Sequence, residues 1–205
     1  MSTFLIADDH EIVRQGLKLL IADFYPGAQI VEAHDGDSTL AQLKQTKCTL
    51  VVLDIQMPNT NSLDLVEYII AFHPDTKILI FSMSSETLYG KRFIKAGAHG
   101  YLSKDASVDE VKKAIETVLN GRRYMSADLM DTFVGEEQQN PFITLSDREF
   151  EIAKLLLTGL SINEIASQIH LQPSTVGTYK ARIFEKLHIT NILQLKEMAA
   201  LYNFS

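Results

Sequence analysis

The chain has 205 residues, of which 46% are hydrophobic and 22% are charged, and its formal net charge is −7. This composition is that of a folded globular protein long enough for two small domains, and it excludes disorder over most of the length. A single cysteine, Cys48, excludes a disulfide framework and a cysteine-rich zinc site, and its position beside an apolar run predicts a buried, inert thiol.

The negative charge is unevenly distributed along the chain. Residues 1–125 carry 13 Lys and Arg against 16 Asp and Glu, residues 126–141 carry none against 4, and residues 142–205 carry 6 of each. The last third can therefore still bind nucleic-acid phosphates if its cations cluster on one face. Nowhere do 18 apolar residues run together, and residues 1–7 lack a basic segment followed by an apolar one, so we expect a cytoplasmic protein without a membrane span.

Short apolar runs alternate with longer amphipathic stretches over the first 120 residues, which predicts strands in alternation with helices. The predicted strands are Thr3–Ala7, Gln29–Ala33, Leu50–Leu53, Ile78–Phe81 and Gly100–Leu102. Runs that are apolar at every position suit parallel strands buried on both faces. The predicted fold class is therefore α/β, with a doubly wound, five-stranded parallel sheet whose sites lie at the carboxyl ends of the strands.

A linker and a second domain follow this sheet. The last helix of the sheet domain is predicted to begin at a capping box of Ser107 and Glu110 and to end before Asn120-Gly121. Beyond it, the polar and turn-prone segment 135–141 predicts a linker. We place the boundaries at residues 1–122 for the sheet domain, 123–143 for the linker and 144–205 for a second, all-α domain.

Acidic residues stand directly after two of the predicted strands. Asp8 and Asp9 follow the first strand and Asp54 follows the third, so their carboxylates are expected to converge. Converging carboxylates repel one another unless a hard cation shares the site, which predicts Mg²⁺ or Mn²⁺, with water and the backbone carbonyl of Gln56 as further ligands. Such an ion also binds an incoming phosphoryl oxygen, which leaves Asp54 free to attack phosphorus as a nucleophile.

Two more polar residues follow strands: Ser82 after the fourth and Lys104 after the fifth. The ammonium of Lys104 can pair with phosphoryl oxygens that the metal does not reach, and the hydroxyl of Ser82 can donate a hydrogen bond to another. Each acidic or polar residue taken singly is more readily a solvated loop end than a functional group. Their joint placement, each at the end of its own strand, predicts a functional site.

Four segments carry a resemblance to a known domain: Leu5-Ile6-Ala7-Asp8-Asp9-His10, Val52-Leu53-Asp54-Ile55-Gln56-Met57-Pro58, Phe81-Ser82 and Tyr101-Leu102-Ser103-Lys104. They resemble the flavodoxin-like receiver domain of two-component response regulators over residues 1–120. The resemblance implies phosphorylation of Asp54 by a sensor histidine kinase or a histidine phosphotransfer domain. It also implies that phosphate draws Ser82 inward and that Tyr101 turns toward the vacated space, which repacks the surface around the fourth helix and fifth strand. An ordinary half-buried strand aromatic is the open alternative for Tyr101.

Two further capping boxes, Ser146 with Glu149 and Ser161 with Glu164, predict short helices after the linker, with Gly159 ending the helix between them. Residues 145–190 resemble the LuxR-type helix-turn-helix, in Leu145-Ser146-Asp147-Arg148-Glu149, Leu160-Ser161-Ile162-Asn163-Glu164-Ile165-Ala166, Ser174-Thr175-Val176 and Lys186-Leu187. The whole chain thus resembles the NarL/FixJ family of response regulators. In such a module the second helix, about 162–169, crosses the DNA backbone and the third, about 173–187, enters the major groove.

The third helix separates into two faces. Val176, Ile183 and Leu187 fall at spacings of seven and four and are expected to pack inward. Thr175 and Lys180 are candidates for phosphate contacts, and Thr178, Ala181 and Arg182 are candidates for facing base edges. The full predicted DNA-binding set is Ser174, Thr175, Gly177, Thr178, Tyr179, Lys180, Ala181 and Arg182.

This helix departs from the commoner family pattern, because Gly177 and Tyr179 stand where that pattern has Lys and His. The segment Thr178-Tyr179-Lys180 more closely resembles the BvgA/EvgA branch, so base preferences of the wider family are not carried over. A last helix from about Asn191 to Tyr202 is either a cover for the core or a dimer seam. The resemblance implies a homodimer, formed on phosphorylation, on paired half-sites of double-stranded promoter DNA.

The leading hypothesis is a transcription regulator that is no enzyme beyond its own phosphotransfer and dephosphorylation. A phosphatase with an aspartyl nucleophile is one alternative, although such enzymes need a second carboxylate two residues after the nucleophile, where this chain has the amide Gln56. A DNA-binding protein with a relic receiver is another. The neutral charge balance of the last third also leaves open a helical protein-protein module.

Overall fold

The computed structural model describes residues 2–134, 140–202 and 204. The chain divides into two compact units, Met1–Phe133 and Val134–Ser205, and each is described by itself. None of the described helices combines the length and apolar character needed to cross a membrane.

The first unit is built on a parallel sheet of five strands in the order β2-β1-β3-β4-β5. Its strands are β1 Thr3–Ala7, β2 Gln29–Ala33, β3 Leu50–Leu53, β4 Lys77–Ser82 and β5 Gly100–Ser103. Every residue of β1 and β3 is buried, as their uninterrupted apolar sequences predict for central parallel strands. The predicted fold class and all five strands are confirmed, with β4 one residue longer at each end and β5 one residue longer at its carboxyl end.

The register of the sheet decides which loops meet. Ala7 at the end of β1 pairs with Leu53 at the end of β3, so the acidic residues that follow them leave the sheet side by side. Ser82 at the end of β4 pairs with Ser103 of β5. Because the strands are parallel, all four strand ends lie along one edge of the sheet.

Helices fill the gaps between the strands and follow the last one. They are α1 Glu11–Phe24, α2 Gly36–Gln45, α3 Ser62–Phe72, α4 Lys91–Ala96, which a π-helical turn Glu86–Gly90 precedes, α5 Val108–Leu119 and α6 Ala127–Val134. The predicted capping box is present at the start of α5, where Ser107 and Glu110 bond each other's backbone N–H. The apolar faces of α1 and α5 share a core with β1, β3 and β4.

Helix α6 lies inside the segment for which we predicted a linker. Ser126 caps it by accepting a hydrogen bond from the Leu129 backbone N–H at 3.0 Å, and Leu129 itself is fully buried. The Ser126 N–H in turn donates to the Glu86 carboxylate at 3.1 Å. Contacts with the π-helical turn therefore stabilise this helix, which is too short to be stable by itself, and those contacts could not be predicted from its sequence. The predicted linker residues 135–139 lie outside the described residues.

The described residues of the second unit form helices joined by short turns and no strand. After a 3₁₀ turn, Pro141–Thr144, come α7 Asp147–Leu157, α8 Ile162–Gln168, α9 Pro173–Lys186 and α10 Ile192–Leu201. The capping boxes at Ser146 and Ser161 are both formed. An aromatic cluster fills the core, with Phe142 stacked on Phe204 at 4.0 Å between ring centroids and Phe150 edge-on to Phe204 at 4.9 Å.

Candidate phosphoacceptor site and nucleic-acid interface

Three predicted acidic residues meet at the carboxyl edge of the sheet. One ligand atom each from Asp8, Asp9, His10 and Asp54 lies within 4.8 Å of all the others. Asp8 and Asp54 are 1% and 2% exposed, so both carboxylates are withdrawn from water, whereas Asp9 is exposed at the rim. The convergence predicted from strand order is therefore present in the structure.

Lys104 lies between the two buried carboxylates. Its Nζ is 2.7 Å from Asp54 Oδ2, to which it donates a hydrogen bond, and 2.7 Å from Asp8 Oδ2. Burial alone lowers the pKa of Lys104, but the carboxylates of Asp54 and Asp8 outweigh that effect and raise it, so the side chain is an ammonium. A positive charge is thus held 2.7 Å from the predicted phosphoacceptor.

Backbone hydrogen bonds hold each carboxylate in its loop. The N–H of His10 donates to Asp8 Oδ1 at 2.8 Å, and the N–H of Gln56 donates to Asp54 Oδ1 at 3.1 Å. Arg14 of α1 donates to the backbone carbonyl of Asp8 at 2.7 Å. These bonds fix the loops after β1 and β3, so the carboxylates are preorganised rather than free to splay apart.

The donor atoms of this cluster suit a divalent cation. Asp8 Oδ2 is buried and lies 2.7 Å from Lys104 Nζ, which is also 2.7 Å from Asp54 Oδ2. The ammonium of Lys104 therefore faces the carboxylates of Asp8, Asp9 and Asp54, and one positive charge does not balance three converging carboxylates. Oxygen donors from Asp8, Asp9 and Asp54 are the set that Mg²⁺ prefers, so the residues present fit such an ion. Gln56 lies next to this cluster, because its backbone N–H is bonded to Asp54 Oδ1.

Ser82 and Tyr101 form the inner part of the site. Ser82 is fully buried, and its hydroxyl accepts a hydrogen bond from the backbone N–H of Ser84 at 3.2 Å. Tyr101 is also fully buried, and its hydroxyl donates to the Ser84 backbone carbonyl at 3.0 Å. Burial, with Tyr89 and Glu86 nearby, raises the pKa of Tyr101 well above its ordinary value. Tyr101 is therefore not a half-buried strand aromatic, because its ring points inward and its hydroxyl is bonded to the loop after β4.

Tyr101 also contacts the segment that leads away from the first unit. Its backbone N–H donates to the carbonyl of Tyr124 at 3.0 Å, and the Tyr124 N–H donates to the carbonyl of His99 at 3.0 Å. Five residues further on, Leu129 packs against Gly90, where an added Cβ would lie 2.8 Å from both Leu129 methyl carbons. The segment from Tyr124 to Leu129 thus follows the surface formed by β5 and the π-helical turn.

The predicted DNA-binding face lies on α9. Val176, Ile183 and, just after the helix, Leu187 are buried, as their spacing predicts. On the opposite face Ser174, Thr178, Ala181 and Arg182 are exposed and Gly177 is half-buried, whereas Thr175, Tyr179 and Lys180 are half-buried at the edges of the buried stripe. The Nζ of Lys180 stands 5.4 Å from the ring centroid of Phe184, so its charge remains near the helix surface. The predicted set is thus divided between the accessible face of α9 and the edges of its buried face.

The last helix covers the core. Leu195 and Ala199 of α10 are buried, and Ile192, Met198 and Tyr202 are half-buried. The residues that remain apolar and exposed on this helix are Leu193 and Leu201, at 65% and 75%. The predicted apolar stripe is therefore the core-facing side of α10.

Family comparisons match the two units separately. Residues 4–116 match the response regulator receiver domain, and residues 143–199 match the bacterial regulatory proteins of the luxR family. The chain belongs to the NarL/FixJ family of response regulators. The resemblance to the BvgA/EvgA branch stays a prediction.

Relatives of this response regulator extend over its full length. It is 34% identical to the response regulator GacA of Pseudomonas protegens over 204 residues, which cover 97% of this chain and 95% of that one. It is 32% identical to the response regulator UvrY of Escherichia coli over 204 residues, covering 97% and 94%. A solved structure of RcsB from Salmonella enterica serovar Typhimurium shares its fold, with a TM-score of 0.79 at 21% identity over 98% of this chain and 99% of that one.

Sequence reasoning missed several residues that shape the response regulator's two sites. His10, whose Nδ1 is 2.8 Å from Asp9 Oδ1, and Arg14 stand one helical turn apart after the acidic pair, a spacing that could have indicated them. In the second unit the sequence assigned Glu149 to a capping box alone. The structure adds an ion pair between its Oε2 and Lys186 Nζ at 2.6 Å.

Proposed function

We propose that this response regulator accepts a phosphoryl group on Asp54 and that the phosphorylated chain binds promoter DNA as a homodimer to regulate transcription. The observation that carries the proposal is the pairing of Lys104 with buried Asp54 at 2.7 Å beside Asp8, at the joined ends of the strands. A buried carboxylate next to an ammonium and two further carboxylates is suited to a nucleophile whose product carries more negative charge.

The transfer breaks the P–N bond of a phosphohistidine that is protonated on its other ring nitrogen and forms a P–O bond to one carboxylate oxygen of Asp54. This gives an acyl phosphate, and the histidine leaves as neutral imidazole. The donor we propose is a sensor histidine kinase or a histidine phosphotransfer domain. Asp8, Asp9, Asp54 and the backbone carbonyl of Gln56 would hold Mg²⁺ or Mn²⁺, which supplies charge neutralisation for the phosphoryl oxygens. Beyond this transfer and the hydrolysis of its own phosphate, we propose no enzymatic activity.

The remaining residues of the site respond to the negative charge of the phosphoryl group on Asp54. Lys104 already donates to Asp54 Oδ2 and pairs with a phosphoryl oxygen after transfer, because a dianionic group attracts the ammonium more strongly than one carboxylate does. The hydroxyl of Ser82, which in the structure accepts from the Ser84 N–H, donates to another phosphoryl oxygen. Movement of this loop is passed to Tyr101 through the bond between its hydroxyl and the Ser84 carbonyl.

The route from this switch to the DNA-binding unit follows the bonds of Tyr101. Its backbone N–H is bonded to Tyr124, and the segment from there to Leu129 packs on the π-helical turn. A shift of Tyr101 and the loop after β4 therefore changes the packing of the segment that precedes the second unit. This supports coupling between phosphorylation and DNA binding through a shift between two packing arrangements, rather than through a direct electrostatic effect.

For DNA binding we propose that α9 enters the major groove while α8 crosses the backbone. Thr175 and Lys180 contact phosphates, and Thr178, Ala181 and Arg182 face base edges. Ser174, Gly177 and Tyr179 complete the proposed interface. RcsB has been solved bound to promoter rprA with the phosphomimetic BeF3⁻, and as dimers bound to DNA, which supports the same kind of binding here. A DNA-binding regulator of this family is expected to act in the cytoplasm.

Treatment of the purified full-length chain with acetyl phosphate and Mg²⁺ tests the first step. We expect the wild-type chain to gain one phosphoryl group by intact-mass measurement and the Asp54→Asn variant to gain none. Asp75→Asn is a matched control, because Asp75 is exposed and paired with Lys47 far from the cluster. Equal labelling of all three proteins would remove Asp54 from its role.

The coupling step is tested by the affinity of the same proteins for promoter DNA. Phosphorylation is expected to tighten binding of the wild-type chain and to leave Asp54→Asn unchanged. Equal promoter affinity with and without phosphate at Asp54 would favour a relic receiver. Turnover of a phosphate monoester would instead favour the phosphatase alternative, which needs a carboxylate at the position that Gln56 occupies.

A further inference from the structure

Two adjacent charged residues in the first turn of α7 contact the two helices of the helix-turn-helix. Arg148 Nη2 donates to the carbonyl of Ile169, the residue that directly follows α8, at 3.0 Å. Glu149 Oε2 accepts a hydrogen bond from Nζ of Lys186, the last residue of α9, at 2.6 Å. One turn of α7 is therefore bonded to the carboxyl ends of both α8 and α9.

The bond to α9 joins a buried carboxylate to an ammonium whose side chain is 41% exposed. The Glu149 side chain is 5% exposed, and its Oε2 also accepts the Ser146 backbone N–H at 2.8 Å. Lys186 donates a second bond to the carbonyl of Thr144 at 3.3 Å. A carboxylate buried to this extent is stable only with its partners in place, so the pair fixes the end of α9 against α7 rather than letting it slide.

The position of these bonds bears on the DNA-binding face. Lys186 stands one helical turn after Arg182, one of the residues that we propose to face base edges, and on the opposite side α9 is held by buried Val176 and Ile183. Hydrophobic packing fixes the distance of α9 from the core, but it tolerates small rotations and shifts along the axis. A hydrogen-bonded ion pair at one end is directional and restricts both.

The same bonds show that two cations of the second unit are paired within the unit itself. Residues 142–205 contain 6 Lys and Arg residues, and the charge of Arg148 and that of Lys186 are both used inside the unit. Arg148 is also paired with Glu151. Within α9, Lys180 and Arg182 are the cations that we propose for contacts with DNA, and of these two Arg182 is exposed and Lys180 is half-buried.

We propose that Arg148, through Ile169, and Glu149, through Lys186, are positioning residues that set the orientation of α9 relative to α8. This orientation in turn sets how well the domain discriminates between DNA sequences. The inference rests on the proposed DNA-binding function. It assigns to Arg148 and Lys186 a role within the domain and no contact with DNA phosphates.

Binding of the full-length, acetyl-phosphate-treated chain to two probes at several salt concentrations tests this role. The specific probe is a duplex enriched by the wild-type chain from a random pool, and the other is a scrambled duplex of the same length. A positioning defect lowers affinity for the specific duplex and leaves the scrambled duplex and the salt slope unchanged. Loss of a phosphate contact weakens both duplexes equally and reduces the salt slope by about 0.9.

We expect Glu149→Gln and Lys186→Met each to lower the ratio of specific to scrambled affinity about tenfold, with the salt slope of the wild-type chain. Glu149→Gln keeps an oxygen that can accept the Ser146 backbone N–H. Lys186→Arg keeps the positive charge and is expected to retain most of the wild-type ratio of specific to scrambled affinity. Lys180→Met is the phosphate-contact control and Lys196→Met, on α10, is the charge control. Helix content by circular dichroism, measured at the assay temperature, identifies the folded variants.

Three results would overturn the inference. Lys186→Met could reduce the salt slope and weaken both duplexes equally, as Lys180→Met is expected to do. Folded Glu149→Gln could retain the wild-type ratio. If the wild-type chain enriches no duplex from the pool, the proposed DNA-binding function itself fails, and this outcome differs from a changed ratio in a chain that binds.

Discussion

Replacement of Lys104 by methionine removes the ammonium that lies 2.7 Å from both Asp8 Oδ2 and Asp54 Oδ2. The side chains are 9% exposed for Lys104 and 2% for each aspartate, so water cannot take over the lost contact. Removal of one partner from a buried pair costs about 3–5 kcal/mol because an uncompensated charge stays behind. We expect the free energy of unfolding of the first unit to fall by about that amount in Lys104→Met without divalent ions.

The assay is urea unfolding at neutral pH in the presence of a chelator. The neighbouring carboxylates raise the pKa of Lys104 above its ordinary value of 10.5 despite burial, so the pair contributes fully at neutral pH and is lost only as the pH rises through the folded-state pKa. Lys47→Met is the matched control, because Lys47 and Asp75 are paired at 3.0 Å but are 83% and 77% exposed. An exposed pair contributes between 0 and about 1 kcal/mol.

Mg²⁺ is expected to restore part of the stability of Lys104→Met, since a divalent cation bound to the same carboxylates replaces the missing counter-charge. The same ion should stabilise the wild-type chain less, because Lys104 already neutralises part of the site. If Lys104→Met and Lys47→Met lose the same free energy of unfolding, and Mg²⁺ affects them equally, the buried ion-pair account is wrong.

Three further predictions follow from single contacts. Gly90→Ala places a Cβ 2.8 Å from the methyl carbons of buried Leu129. We expect the free energy of unfolding to fall by about 1–3 kcal/mol and amide hydrogen exchange across α6 to become faster. Unchanged exchange would contradict this packing. Cys48 is 2% exposed and burial raises the pKa of its thiol to about 11, so the native chain should not react with a thiol reagent at pH 8, whereas the unfolded chain should react fully. Burial raises the pKa of Glu149, but the bonds from Lys186 and Ser146 outweigh burial and lower that pKa below its ordinary value of 4.5. The ionised Glu149 therefore contributes fully to stability above pH 4.5, and this contribution is lost as the pH falls through the folded-state pKa. Between pH 7 and pH 3 the free energy of unfolding should fall less in Glu149→Gln than in the wild-type chain.

Patterns local in sequence were sufficient for most of the fold. Uninterrupted apolar runs predicted β1 and β3, and three capping boxes predicted the starts of α5, α7 and α8 where the structure has them. Parallel pairing then brought Asp8 and Asp54 together, because topology fixes which strand ends are neighbours. Helix α6 was not predicted, since its eight residues depend on Leu129 packing against Gly90, which lies 39 residues earlier in the chain.

The order of the strands was enough to predict that Asp8, Asp9 and Asp54 converge, and the apolar spacing was enough to predict that Val176 and Ile183 face the core, because both follow from local patterns. Which charged side chains pair with one another could be read only from the folded chain. Lys104 bridges Asp8 and Asp54, and Lys186 is held by Glu149, 37 residues earlier. The partner of an ion pair is chosen by packing in three dimensions, and no spacing in one dimension identifies it.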